Sequence, residues 1–317
     1  IRRKLQNTDR NARPIGRKWA NRPRRHRAKR QGKRVKLHHP RTIDEAVSLL
    51  GEDDDARCLA GGATLVAMMN ADLLAPGGLV SLRDVETLKG ISIEADGTAV
   101  IGAMTNHVTI AEATEFDSGQ SVVARAAAVI GHPAIRNMGT IGGAIAHADS
   151  AADYPAALLA ADAVICVAGA DGAREIPAGD FFVDYLETAL EEGELVTSVR
   201  IPAAPAGSVV AYEKFARVEG DFATVSVAVM LQENDGAIDD IRLAVGACAP
   251  VPIRSPDAEE ILRRDGVSDT SIAAASEHLA ALADPVDDFR GSGEYRLKLI
   301  PVLVARAIEA ARNGGAA

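Results

Sequence analysis

The chain has 317 residues, 47% of them apolar, which allows two ordinary domains with a sizeable core and excludes a disordered protein. No stretch reaches the ~20 uninterrupted apolar residues of a membrane-spanning helix, and Cys58, Cys166 and Cys248 lie far apart with no CxxC, which argues against an iron–sulfur cluster or structural zinc within this chain. The net charge of −9 hides a split: residues 1–36 carry sixteen Lys or Arg against one acid, Asp9, while the remainder carries 19 basic and 43 acidic groups, a balance of −24.

Residues 1–34 form a basic head almost without core-forming residues. Two readings stay open for it: a disordered extension, or upstream sequence included ahead of a true start at Val35. Nucleic acid is not expected as a partner. The acidic body holds only three lysines, Lys89, Lys214 and Lys298, which predicts a salt-adapted protein whose carboxylates hold hydration. Three isolated cysteines and seven histidines without metal spacing predict a reduced, cytoplasmic setting, no metal site and buried apolar roles for the thiols.

From Val35 the pattern becomes that of a folded domain. TIDEAVSLLG predicts a helix with Thr42 as N-cap, Glu45 three residues on, and Gly51 at its end. Arg57–Ala60 predicts a short buried strand that runs into Gly61-Gly62, followed by a helix over LVAMMNADLL and a strand over LVSLRDV. ISIEADGTAVIGAM predicts a hairpin turning at Asp96-Gly97. SVVARAAAVIGHPAIRN predicts a helix broken near Gly131 and Pro133, and AADYPAALLAADAVICVAG a helix followed by a strand.

The segment 201–207, with two prolines, predicts a linker. Beyond it come several strands and then two helical segments, DTSIAAASEHLAALA and YRLKLIPVLVARAIEAARN, an order that predicts a compact α+β domain. The organisation expected is therefore a head (1–34), a first domain (35–206) and a smaller C-terminal domain (207–317).

Two glycine pairs stand out, in LAGGATLV at 59–66 and in RNMGTIGGAIAH at 136–147. Glycine lets a backbone turn sharply and brings its N–H groups close to a ligand, and successive N–H groups form a concavity suited to phosphate. Neither stretch is GxGxxG or a Walker A loop. The residues alone leave two alternatives: a pyrophosphate gripped from two sides, or turns that merely pack.

LAGGATLV resembles the AGGxS/T-L loop, and NMGTIGGAIAHADSAADYPAALLA the N-x-G-T-I-G-G loop, of the FAD-binding medium subunits of the molybdenum hydroxylases. This is the xanthine dehydrogenase group, and the resemblance is nearest to the medium subunits of aerobic carbon monoxide dehydrogenases. It extends through AGDFFVDYLETALEEGELVTSVRIP, YEKFARVEGDFATVSVAV and GSGEYRLKLIPVLVARA. It implies an α+β fold in which a two-part FAD-binding domain of the PCMH/vanillyl-alcohol-oxidase-like type precedes a smaller C-terminal domain.

By the same resemblance, Gly61, Gly62, Ala63, Thr64 and Leu65 form the first loop around the FAD pyrophosphate. Thr140, Ile141, Gly142, Gly143 and Ala144 form the second, with Asn137 and Gly139 shaping the turn that leads in. Asp153 either accepts hydrogen bonds from the sugar or ribityl hydroxyls or caps the helix that starts there. Thr105 matches a threonine near the cofactor, and Lys214 a lysine beside the flavin. Arg217 and Asp221 are expected to pair, and Tyr185 and Tyr212 are candidates for stacking on the ring. Ala63 and Ser150 stand where the family often has Gln or His, and Pro; Ala63 keeps its N–H but offers no side-chain contact.

The implied role is electron transfer through FAD, with no general acid or base on this chain. The implied partners are a molybdopterin-binding large subunit and a small subunit with two [2Fe–2S] clusters, in a dimer of heterotrimers. A stand-alone FAD-dependent oxidase and a scaffold subunit that has lost FAD are the alternatives.

Overall fold

The computed structural model describes residues 35–314, so the readings placed on the basic head lie outside the described residues. The first elements are β1 (Lys36–His38), α1 (Ile43–Gly51), β2 (Ala56–Leu59), α2 (Leu65–Asn70) and β3 (Gly78–Ser81). The Thr42 hydroxyl accepts the Glu45 N–H at 3.1 Å, and the Arg41 N–H donates to the Glu45 carboxylate at 2.7 Å, so both expected capping residues are used. The three strands make a parallel sheet with β3 in the centre. Ala46 and Leu50 of α1 close it over a small core with Val80, Val85 and Leu88.

The predicted hairpin is β4 (Ile91–Ile93) and β5 (Ala99–Gly102). Gly97 takes φ +86° at its turn, and the Asp96 carboxylate accepts the Thr98 N–H at 2.9 Å. Five helices follow: α3 (His107–Ala111), α4 (Ser121–Ala128), α5 (Pro133–Met138), α6 (Ile141–His147) and α7 (Tyr154–Ala160). The break between α4 and α5 falls at Gly131 and Pro133, where Gly131 is left-handed at φ +51° and Pro133 opens the next helix. Then come β6 (Val164–Gly169), β7 (Gly172–Pro177), α8 (Ala178–Phe181), the short ribbon β8 (Phe182–Asp184) and β9 (Glu187–Thr188), and β10 (Leu195–Ile201). The larger sheet has the order β4-β5-β10-β6-β7, with the last strand of this half seated in the middle, antiparallel to both neighbours.

Residues 202–208 connect to β11 (Val209–Phe215), β12 (Val225–Asn234), β13 (Ala237–Gly246) and β14 (Ile253–Arg254), an antiparallel sheet in that order. Three helices follow: α9 (Pro256–Asp265), α10 (Asp269–Ala281) and α11 (Gly293–Arg312). The sequence reading has two helices here and passes over α9, although its signals are present: the Ser255 hydroxyl accepts the Ala258 N–H and Pro256 sits at the first position.

Every residue from Val225 to Leu231 is buried, which is why β12 reads as a continuous apolar run rather than an alternating one. Val227, Val229 and Leu231 join the core beneath α9–α11. Ala228 and Met230 point the other way, into the core that also contains Tyr154, Ala156, Ala157 and Leu158 of α7. Polar groups cross the same seam: Arg242 holds Asp162 at 2.9 Å, and Arg254 donates to the Leu159 carbonyl at 3.2 Å and bonds Asp162.

Candidate functional site: two glycine turns back to back

The first turn leaves β2 at Leu59 and enters α2 at Leu65. Gly62 requires its positive φ of +80°. Gly61 is required for another reason: a Cβ there would lie 1.8 Å from the Met138 carbonyl oxygen and 3.1 Å from Gly139 Cα. The two glycine segments, about eighty positions apart in sequence, therefore meet backbone to backbone. Among the described residues, no hydrogen bond takes the N–H groups of Gly62, Ala63 or Thr64.

The second turn is built differently. Thr140 caps α6, its hydroxyl accepting the Gly143 N–H at 3.2 Å and its carbonyl the Ala144 N–H at 3.0 Å. The Ile141 N–H donates to Thr105 O at 3.1 Å and the Gly142 N–H to Ala103 O at 2.9 Å. Gly142 is small because Ala103 is already there, with its Cβ 2.6 Å from where a new Cβ would stand. The amides of this turn are thus largely spent inside the protein, and the unspent donors belong to the first turn.

A cavity of about 670 Å³ opens over both turns. Gly61, Gly62, Ala63, Thr64 and Leu65 line it from one side and Gly139, Thr140, Gly142, Gly143 and Ala144 from the other, with Asp153 further along. Ile141 is fully buried behind it. Thr105 and Asn137 line a second cavity, of about 790 Å³, which Gly61, Gly62 and Thr140 also border. The Thr105 hydroxyl is engaged with Gly90, accepting its N–H and donating to its carbonyl, both at 3.0 Å. Asn137 stays within its own turn, donating to Pro133 O at 2.8 Å.

Asp153 precedes α7 but makes no side-chain cap bond. Its two carboxylate oxygens are held instead by the Tyr212 hydroxyl at 2.8 Å and the Lys214 ammonium at 2.9 Å, and Lys214 also donates to Val129 O at 3.2 Å. Burial pushes the Asp153 carboxyl above its ordinary value, against the opposing pull of Lys214 and its hydrogen-bond donors. Lys214 is therefore no solvated surface lysine, since its side chain is 9% exposed.

Three expectations are corrected or refined. Arg217 does not pair with Asp221; it donates to the Phe289 carbonyl at 2.9 Å, while the Asp221 carboxylate accepts the Phe222 N–H. Tyr212 is engaged through its hydroxyl with Asp153, and Tyr185 lines neither cavity. The part-exposed aromatic side chain facing the cavity over the two glycine turns is Phe222, which carries the guanidinium of Arg290 5.2 Å from its ring centre. His107, buried beneath the second turn, also lines this cavity, a placement the sequence pattern does not signal. Phe222 lies in the irregular loop between β11 and β12, and no local pattern marks it or His107. Cys58 lies in the wall too, with burial pushing its thiol up to about 12, which leaves it an apolar neighbour rather than a nucleophile.

The arrangement suits an elongated ligand: unspent backbone donors for an anionic centre, apolar walls, and a fixed carboxylate for hydroxyl groups. Residues 33–204 match the family described as the FAD binding domain in molybdopterin dehydrogenase, and residues 210–311 the CO dehydrogenase flavoprotein C-terminal domain. The carbon monoxide dehydrogenase medium chain of Hydrogenophaga pseudoflava is 35% identical over 88% of this chain and 97% of its own. The nicotine 6-hydroxylase medium subunit of Paenarthrobacter nicotinovorans is 36% identical over 86% of this chain and 96% of its own. Among solved structures, quinoline 2-oxidoreductase from Pseudomonas putida 86 superposes with a TM-score of 0.83 at 31% identity, covering 89% of this chain and 98% of that one.

Proposed function

The chain belongs to the family of FAD-binding medium subunits of the molybdopterin dehydrogenases, and we propose that it carries electrons through FAD between partner subunits and a terminal acceptor. It is an oxidoreductase subunit and its cofactor is FAD. The residues present fit that group. Gly61 brings the first turn against the Met138–Gly139 backbone with no room for a side chain, and the adjoining N–H groups of Gly62, Ala63 and Thr64 have no acceptor of their own among the described residues. This is the observation that carries the reading.

Bound flavin would supply transfer of one or two electrons, chemistry that no side chain offers. This chain supplies position and field. Gly62, Ala63 and Thr64 hold the pyrophosphate through their N–H groups, with Leu65 behind them. Gly139, Thr140, Gly143 and Ala144 close the other side, braced by Ile141 and Gly142, while Thr105 and Asn137 keep the turns in register. Asp153 orients sugar or ribityl hydroxyls. Lys214, fixed on Asp153, keeps a positive charge close to where reduction deposits a negative one.

The electrons come from the [2Fe–2S] clusters of a small subunit and originate at a molybdopterin-binding large subunit, in a dimer of heterotrimers. The acidic body belongs to a salt-rich cytoplasm. The test is the absorbance spectrum of the full chain purified in high salt, with identification of any cofactor released on denaturation. Flavin bands with about one FAD per chain support the reading. A colourless protein that takes up no added FAD overturns it and leaves the scaffold alternative.

A further inference from the structure

Beneath the second glycine turn lies a histidine that the electron-transfer role does not use. His107 opens α3 and is 4% exposed. Its N–H donates to Gly139 O at 3.2 Å, and its neighbour Asn106 donates from its side chain to Asn137 O at 2.9 Å. The imidazole lies so close to Gly139 that a Cβ there would stand 2.5 Å from Nε2. On its other side, Nδ1 is hydrogen-bonded to the Tyr154 hydroxyl at 2.9 Å, with ring centres 5.4 Å apart. Tyr154 is fully buried and follows Asp153 directly in the chain.

We propose that His107 is a positioning residue for the flavin site: through Tyr154 it locks the Gly139 turn at a set distance from the Asp153 carboxylate. The inference rests on the FAD reading above. The turn and α7 share apolar packing, Ile141 and Ile145 lying in one core with Tyr154, Ala157 and Leu158, and the hydrogen bond between His107 and Tyr154 adds a buried, directional polar link between them. A hydrophobic ring in the same place would fill the volume without fixing the spacing. Burial, with the nearby Arg136 charge, holds the imidazole neutral down to about pH 4. It therefore acts as a neutral hydrogen-bonding strut and puts no charge beside the cofactor.

The test uses the full chain, stripped of flavin and titrated with FAD, in wild type, Tyr154→Phe and His107→Phe forms. Tyr154→Phe removes only the hydroxyl; if His107→Phe does not fold, it carries the test alone. A lost buried hydrogen bond predicts a dissociation constant raised about five- to thirtyfold, together with an altered visible circular dichroism of the bound flavin. The double variant should be no weaker than the worse single one, because both cut the same link. Variants that melt lower yet bind FAD with the wild-type constant and dichroism would make His107 an ordinary core residue and overturn the proposal. If the wild type itself takes up no FAD, the flavin reading fails and this proposal with it, an outcome distinguishable because it appears before any substitution.

Discussion

Replacing Gly61 by alanine tests the meeting of the two turns directly. The added Cβ would stand 1.8 Å from the Met138 carbonyl oxygen and 2.7 Å from its carbon. A carbon–oxygen contact needs about 3.3 Å, so the two backbones must part by about 1.5 Å. Overpacking usually costs about 1–3 kcal/mol. Here the obstacle is main chain, which has no alternative rotamer, and the cost belongs at the upper end, about 3 kcal/mol. In a chain of this size that lowers the melting temperature by about 5 °C. A separation of that size also carries the Gly62 and Ala63 N–H groups out of hydrogen-bond range of a ligand seated against the second turn, so FAD affinity should fall at least ~10-fold. The assay is flavin content per chain together with thermal melting of the stripped protein. Gly51→Ala is the control, because nothing lies within 4 Å of its added Cβ. A Gly61→Ala protein that melts like wild type and keeps its full flavin would refute the backbone contact on which the site is built.

The remaining predictions concern buried titratable groups. Lys214→Met removes the cation from a carboxylate only 5% exposed, and leaving that carboxylate uncompensated should cost about 3–5 kcal/mol in denaturant unfolding. Asp153→Asn in the same background should recover part of it, and a cost below ~1 kcal/mol would show that the pair is not energetically coupled. His107, with its pKa lowered to about 4, gives a pH dependence with a definite sign. Above about pH 6.5 the ring is neutral in both folded and unfolded chains and contributes no slope. As pH falls from there toward 4 the unfolded chain binds the proton first, so stability is lost, reaching about 3 kcal/mol. Carboxylates titrate in wild type and His107→Phe alike, so the difference between their unfolding free energies at pH 7 and pH 4.5 isolates this contribution; equal slopes would show that His107 titrates normally.

Much of this molecule is legible locally. Thr42 with Glu45 marks α1, Asp96-Gly97 marks the hairpin, and the two glycine pairs mark the turns. Such signals act over a few residues, where the backbone preference and its hydrogen-bond partner are neighbours in the chain. The rest depends on contacts that no local pattern records. That Gly61 abuts Met138, that Ile141 and Gly142 spend their N–H groups on 103–105, and that β10 inserts between β5 and β6 are all settled by tertiary packing. Arg217 illustrates the limit: a carboxylate four residues away in sequence is an attractive partner, yet the loop turns the guanidinium to the Phe289 carbonyl. The ring of Tyr212 suggests stacking, but its hydroxyl is what engages Asp153.

The way α7 sits has a consequence for how such chains are inherited. Tyr154, Ala156, Ala157 and Leu158 share one core with Val210, Ala228, Met230 and Ala244, so the join at 202–208 is a boundary along the chain and not a boundary in the packing. A hybrid gene that exchanged only the portion after this join between two relatives would bring a sheet face shaped for another helix, with Arg242 and Arg254 aimed at another turn than that of Asp162. The unit that can be traded intact includes α4 and α7, which pack on β11 and β12, and the cavity over the glycine turns depends on both sides of the join, because its Asp153, the N-cap of α7, is paired with Lys214 on β11.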